Sequence, residues 1–290
     1  MNTIGTARAW AAQELKLAWV ESATLTADLL LGHVLGLDRV QVLSRPEVPL
    51  RPEALERFTA LVQRRLQGEP LQYLTGEQEF YGLRFRVTPD VLIPRPETEI
   101  LVEQAVSLAR GQRRQSMRFA DVGTGSGCIA VAFAHEVPGS LGIAVDVSVP
   151  ALALARENAA HHGVLGRILF LCCDLLAAFP PEPFFDLILS NPPYVASGEY
   201  NTLPGSVRDH EPHLALFGGE SGLAVYRRLI PQMAERLLPG GHLLVEVGTG
   251  QVDAVTQMVL QEGIAVEGLV NDLRKIPRCI VARKSVGLGC

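Results

Sequence analysis

Phe119-Ala-Asp-Val-Gly-Thr-Gly-Ser-Gly127 decides the fold, because an apolar strand runs straight into a glycine-rich turn and then into the helix-spaced run Ile129 to His135. Gly123, Gly125 and Gly127 let the backbone turn sharply and approach a ligand at the carboxyl end of a strand, where open α/β sheets bind their ligands. The spacing is G-x-G-x-G and fails the G-x-G-x-x-G dinucleotide fingerprint, which weighs against a nicotinamide cofactor. A tight strand-to-helix turn without a ligand is the plain alternative.

Outward from this loop, strands and helices alternate. Leu141 to Val145, Ile168 to Cys172, Phe185 to Leu189 and Gly241 to Val247 read as strands, while Ala151 to His161 and Leu223 to Leu237 read as helices. That rhythm predicts a parallel sheet wrapped by helices on both faces. Ala265 to Leu269 and Arg278 to Ala282 flank a polar turn and are expected to pair antiparallel at one edge. Before the loop, Pro96 to Arg110 reads as a helix, and alternation around Tyr81-Gly82 predicts a hairpin connector. The first 70 residues read as helices over Thr6 to Val20, Ala23 to Leu35, and from Pro52 to a stop at Gly68. Through Glu69 this module carries eight basic and eight acidic residues, so it is not a basic arm for nucleic acid.

The tips of the strands carry the candidate chemistry. Asp146 ends the second strand 21 residues after Gly125, where an acid accepts both hydroxyls of an adenosine ribose; capping the helix near Pro150 is the alternative, although Ser148 suits that role better. Asp174 follows the third strand and is placed to accept from an adenine amino group or to cap the next turn. The fourth strand delivers Asn191-Pro192-Pro193-Tyr194 to the same edge. Two prolines stiffen the backbone and remove two N–H donors, leaving the Asn191 side-chain oxygen and the Pro192 carbonyl as acceptors suited to a planar NH2 group. Tyr194 offers a flat face to stack on that group. His161 and His162 are expected to meet the carbonyl end of their own helix, and Arg110, Arg113, Arg114 and Arg118 to form a solvated linker.

Composition bounds the alternatives. The chain has 290 residues, 48% hydrophobic and 20% charged, which is globular and excludes a disordered, collagen-like or coiled-coil protein. A net charge of -5 argues against binding by blanketing phosphates. No apolar run approaches the roughly 18 residues of a membrane span, and Met1 to Gln13 lacks the pattern of a secretion signal, so a cytoplasmic location is expected. Cys128, Cys172, Cys173, Cys279 and Cys290 show no zinc spacing and read as free thiols, mostly buried; no metal is expected.

The Gly-Thr-Gly-Ser-Gly127 loop, Asp146 and Asn191-Pro-Pro-Tyr194 resemble class I S-adenosylmethionine-dependent methyltransferases that modify NH2 nitrogens. Further segments narrow the resemblance: Gly76-Glu-Gln-Glu-Phe-Tyr-Gly82, Ile93-Pro-Arg-Pro-Glu-Thr-Glu99, Arg208-Asp-His-Glu-Pro-His-Leu-Ala-Leu216, Gly218-Gly-Glu-Ser-Gly-Leu223 and Asp272-Leu-Arg-Lys-Ile-Pro-Arg278. With them the chain is similar over nearly its whole length to the peptide chain release factor glutamine methyltransferases, called PrmC or HemK.

The resemblance implies a Rossmann-like α/β fold with a mostly parallel seven-stranded sheet and an antiparallel edge strand. It also implies a helical substrate-recognition domain at 1–75, a hairpin connector at 76–95 and a methyltransferase domain at 96–290. It implies S-adenosyl-L-methionine as cofactor, held by Gly123, Thr124, Gly125, Ser126, Gly127, Asp146, Asp174, Leu175 and Asn191. Relatives often carry an aromatic residue where this chain has Leu175. The implied substrate is the Gly-Gly-Gln glutamine of bacterial class I release factors, met by Asn191, Pro192, Pro193 and Tyr194, with Asn191 and Pro192 catalytic. A monomer without direct nucleic-acid or membrane contact is expected. An adenine amino-methyltransferase shares the NH2 geometry but needs a groove for nucleic acid. A noncatalytic cofactor-binding adaptor of the translation machinery fits poorly with an intact Asn-Pro-Pro-Tyr stretch.

Overall fold

In the computed structural model, residues 2–111 and 116–286 are described. They form two compact units, one of residues up to Glu77 together with Pro204–His210, the other of Gln78–Leu203 with the chain from Glu211 onward.

The first unit is built on helices Ile4–Leu17, Ala23–Leu35, Arg39–Ser44, Pro52–Leu66 and Leu71–Thr75. Ala7, Ala11 and Leu15 recur at helical spacing and are buried with Leu30, Leu31, Phe58 and Val62 in one apolar core. Asp28 lies inside this unit, paired with both Arg8 and Arg39, so its buried charge is compensated. The first helix stops at Leu17, three residues before the apolar periodicity does. The Val20 N–H donates to the Leu15 carbonyl and the Trp19 N–H to that of Lys16, with Trp19 at φ 58°, the ending usually built on glycine. A Trp in that role carries no stop signal in sequence.

A two-stranded hairpin pairs β1 (Glu77–Phe80) with β2 (Leu83–Arg86). Its turn residues Tyr81 and Gly82 both have positive φ, 52° and 72°, which matches the twist of the flanking strands.

The second unit holds a seven-stranded sheet of β3 (Met117–Val122), β4 (Ser140–Asp146), β5 (Ile168–Cys172), β6 (Phe185–Ser190), β7 (Leu237–Glu246), β8 (Ile264–Asn271) and β9 (Pro277–Lys284), in the order β5-β4-β3-β6-β7-β9-β8. The first five of that order run parallel. β9 is antiparallel to both β7 and β8, so the reversed strand stands one position in from the edge. Neighbouring residues supply opposite faces: Phe119 and Leu187 enter one core with Phe133, and Ala120 and Ile188 enter another with Tyr226 and Leu229. Helices Glu99–Gly111, Cys128–Glu136, Val149–His161, Ala224–Arg236 and Val252–Gln261 contribute to these two cores. The last of them, and the single turns Ser197–Tyr200 and His213–Leu216, fall where no element is read from the sequence.

His162 caps the carbonyl end of its helix, its N–H donating to the Asn158 carbonyl, while its ring bonds through Nε2 to the Arg84 carbonyl at 2.7 Å and packs on Phe85, tying the helix end to the hairpin. Arg110 and Arg118 are solvent-exposed as expected, but they stand on helix Glu99–Gly111 and on β3 rather than in a linker, Arg110 pairing with Glu136 and the Arg118 guanidinium lying over the Phe184 ring; Arg113 and Arg114 lie outside the described residues. Cys128 and Cys279 are buried free thiols, Cys172 is exposed and Cys173 half-buried; Cys290 is also outside the described residues.

Candidate active site

Strand register assembles the site. Val122 pairs with Val145 on one side and with Ser190 on the other, so Gly123, Asp146 and Asn191 leave the sheet side by side. They open onto a cavity of about 270 Å³ whose lining includes Gly123, Thr124, Gly125, Ser126, Asp146, Asp174, Leu175, Asn191 and Pro193. Leu92, Pro94, Arg95, Leu214 and Phe217 wall it from the connecting segments. Gly127, Pro192 and Tyr194 are not part of this lining.

The glycine loop is held from below and behind. Thr124 Oγ1 donates to Asp121 Oδ2 at 2.6 Å and the Ala130 N–H to the same oxygen at 3.1 Å. Oδ1 of Asp121 is buried without a partner, and burial pushes this carboxyl up to about 7. Asn158 donates to the carbonyls of Ser126 and Arg86 and accepts from the Arg86 N–H, strapping loop to hairpin. At Gly127 a Cβ would sit 3.0 Å from the Ala155 Cβ, so this glycine permits close helix packing.

Asp146 accepts from the Gly125 N–H through Oδ2 and from the Ser148 N–H through Oδ1, each at 2.9 Å. The helix cap is Ser148, whose Oγ accepts from the Ala151 N–H. Asp174 is paired with Arg228, which also lines the cavity. Leu175 follows at φ 53°, a backbone conformation unusual for a branched side chain.

Asn191 donates through Nδ2 to Thr98 Oγ1 at 3.0 Å. The Tyr194 carbonyl accepts from Gln251 Nε2 at 2.9 Å, while its ring packs against the core beneath and its hydroxyl is pushed up to about 12 by burial, with Glu246 adding to the shift. The next stretch folds back on itself: the Val195 N–H donates to Leu216 and the Gly218 N–H to Val195. A Cβ on Gly218 would stand 2.8 Å from the Pro193 carbonyl oxygen, so this close approach requires glycine. Arg95 pairs with buried Glu211, which also accepts from the Ile93 N–H, and Glu97 meets Arg274 at 3.5 Å.

Thr98, Asp121, Asn158 and Glu246 were not legible as site residues. The available signal was a polar side chain interrupting an apolar run, as Asp121 does between Ala120 and Val122 and Glu246 between Val245 and Val247. Among the described residues no cluster of three or more His, Cys, Asp or Glu is arranged to hold a metal.

A nucleoside-bearing ligand suits this donor set. A Cβ on Gly123 or Gly125 would meet no atom within 4 Å, so the loop presents bare backbone to open space beside the Asp146 carboxylate. The acceptor-bearing Asn191 stands on the next strand over. This fold and this edge of the sheet define a Rossmann-like methyltransferase. Residues 97–208 match the methyltransferase small domain family and residues 6–76 match the PrmC N-terminal domain family.

Among curated proteins, the release factor glutamine methyltransferase of Bradyrhizobium diazoefficiens is 44% identical, covering 98% of this chain and 95% of its own. That of Koribacter versatilis is also 44% identical, over 94% of this chain and 96% of its own. The chain belongs to the release factor glutamine methyltransferase family. Solved structures share the fold at low identity: the hMettl16 catalytic domain with an RNA hairpin has a TM-score of 0.55 at 17% identity, over 81% of this chain and 82% of that one. The Thermus thermophilus 16S rRNA N2 G1207 methyltransferase, in complex with AdoMet and guanosine, has a TM-score of 0.52 at 16% identity, over 72% of this chain and 49% of that one.

Proposed function

We propose that this chain methylates the side-chain amide nitrogen of the glutamine in the Gly-Gly-Gln loop of bacterial class I release factors, with S-adenosyl-L-methionine as methyl donor. The supporting observation is Asn191, a strand-tip acceptor opening onto the same cavity as the glycine loop, in a chain of this family. Gly123 to Gly127, Asp146, Asp174 and Leu175 hold the cofactor in this reading, which supplies an electrophilic sulfonium methyl when bound.

An amide nitrogen is a poor nucleophile because its lone pair is delocalised into the carbonyl. Asn191 Oδ1 and the Pro192 carbonyl accept the two amide hydrogens, turn the nitrogen toward the methyl group and stabilise the positive charge that grows on it. Alignment of this kind contributes on the order of 7 to 11 kcal/mol, so no strong base is needed for the transfer itself. One bond forms between nitrogen and methyl as the sulfonium bond breaks to a thioether, and the nitrogen then loses its extra proton to water. Pro192 and Pro193 stiffen the backbone that follows Asn191, and the Tyr194 carbonyl is held by Gln251 Nε2. Cytoplasmic action as a monomer, without direct nucleic-acid contact, completes the proposal; no described helix is long and apolar enough to cross a membrane.

Labelled S-adenosylmethionine incubated in parallel with a release factor and a DNA duplex tests it. Label on the release factor glutamine is expected. Label on DNA instead would point to an adenine amino-methyltransferase, and label on neither to an adaptor.

A further inference from the structure

An asparagine amide presents an oxygen at one end and an NH2 at the other, and only the oxygen can accept a hydrogen from a substrate NH2. Something in the protein must therefore decide which end faces the cavity. Asn191 Nδ2 donates to Thr98 Oγ1 at 3.0 Å, and the Thr98 side chain is buried at 3% exposure. The Thr98 hydroxyl also favours the anion of the Glu246 carboxylate at the end of β7, a residue 2% exposed whose Oε2 is buried without a partner.

A hydroxyl has a single hydrogen. When the Glu246 carboxylate takes it, Thr98 Oγ1 can only accept from Asn191, so Nδ2 must face Thr98 and Oδ1 must face away. Were Glu246 protonated, it could donate to Thr98 instead, and the freed hydroxyl hydrogen could seek Asn191 Oδ1. The amide would then turn over and present NH2 to a substrate NH2, donor against donor.

We propose that Thr98 is a positioning residue for methyl transfer: anchored by Glu246, it accepts from Asn191 Nδ2 and so keeps the Asn191 oxygen toward the substrate nitrogen. The inference rests on Asn191 as the substrate acceptor. It assigns a function to the threonine of Arg95-Pro-Glu-Thr98, which comes from the connector before the sheet, and to an acid in the sheet itself.

The charge on Glu246 then matters. Burial raises its carboxyl to about 7. The charged and titratable groups around it are Arg95 and Glu97 from the connector, Arg278 and Cys279 from β9, Tyr194 after β6, Tyr226 from its helix and Cys128 from the helix after the glycine loop. Arg278 and Arg95 favour the anion, and Glu97 opposes it. The orienting anion prevails above this pH and is lost below it.

Thr98→Val removes the hydroxyl while keeping the shape. Its kcat toward intact release factor should fall about 10- to 100-fold, with KM for the release factor and affinity for S-adenosylhomocysteine unchanged. Thr98→Ser should restore most of the rate. Independently of activity, the Asn191 side-chain NH2 should be protected from hydrogen exchange by NMR in the wild type and lose that protection in Thr98→Val. If Thr98→Val does not fold, Glu246→Gln carries the test through its pH profile: the wild-type fall in kcat from pH 8 to pH 6 should disappear. Asn191→Ala is measured alongside. A slow Asn191→Ala with a wild-type Thr98→Val, or an acid limb unchanged in Glu246→Gln, overturns the role of Thr98; a fully active Asn191→Ala overturns the reading on which it rests.

Discussion

The backbone N–H of Gly125 donates to Oδ2 of Asp146 at 2.9 Å, so the tip of β4 holds the glycine loop that follows β3 in shape. Asp146 thus serves both loop and cavity. A carboxylate has about four lone-pair directions, and two backbone donors leave acceptor capacity for ribose hydroxyls.

Asp146→Ala should therefore weaken binding of S-adenosylhomocysteine by about 10- to 100-fold, the range for losing hydrogen bonds to a charged group. Asp146→Asn, which keeps one acceptor oxygen, should fall between Ala and wild type. Calorimetric titration measures the affinity, and circular dichroism checks that the fold remains. Unchanged affinity in the folded Ala variant would show that the residue only shapes the loop.

Asn191→Ala should leave that affinity largely in place and lower methyl transfer at least about 100-fold, because one oriented acceptor in a transition state contributes about 2.7 to 4 kcal/mol. Asn191→Asp keeps an acceptor and adds charge, so it should retain more activity than Ala. Single-turnover rates with saturating cofactor separate chemistry from binding. Near wild-type transfer in the Ala variant would sink the mechanism.

Buried Asp121 predicts a stability signature. Its carboxyl stands at about 7 in the folded chain against 3.8 for the ordinary group, because burial disfavours the anion more than Thr124 and the Ala130 N–H favour it. Between those two values the folded state holds a proton that the unfolded state has released, so stability falls as pH rises, by about 1.4 kcal/mol per unit. Above about 7 both states are ionised and the slope vanishes. Asp121→Asn removes this titration, so its stability relative to wild type should improve as pH is raised from 5 to 7. Urea denaturation at several pH values reads the difference, and a constant difference across the range would rule the titration out.

The order of elements was legible because periodicity and turn chemistry agreed: Phe119 to Gly127, Ala23 to Leu35 and the Tyr81-Gly82 turn carry their structure locally. The boundary at Trp19 was not, since its left-handed backbone is imposed by the helix ending rather than by residue type. The site was half legible for the same reason. Glycines, Asp146 and Asn191 sit at strand tips, where pattern fixes position, and parallel register brings them together. Thr98 lies 93 residues from Asn191, and no spacing rule joins a connector threonine to a strand-tip asparagine. Asp174 was readable as a strand-tip acid, but its pairing with Arg228 from a later helix was not.

The helical unit should determine how the protein substrate is recognised. Trp19 is 94% exposed and Leu17 69% exposed, at the end of the first helix. Large apolar side chains left in water at a helix end are the kind that anchor protein interfaces, where a Trp commonly contributes more than about 1 kcal/mol. Contacts remote from the glutamine help hold it in reacting geometry, so their loss lowers efficiency on the intact substrate. An isolated Gly-Gly-Gln peptide should therefore react poorly compared with a folded release factor, and Trp19→Ala should lower kcat/KM for the folded factor about tenfold while leaving the peptide reaction unchanged. Methyl incorporation into both substrates, by both forms of the enzyme, decides it. Equal efficiency on peptide and protein would show that the active site alone selects the substrate, and an unaffected Trp19→Ala would place the docking surface elsewhere on the chain.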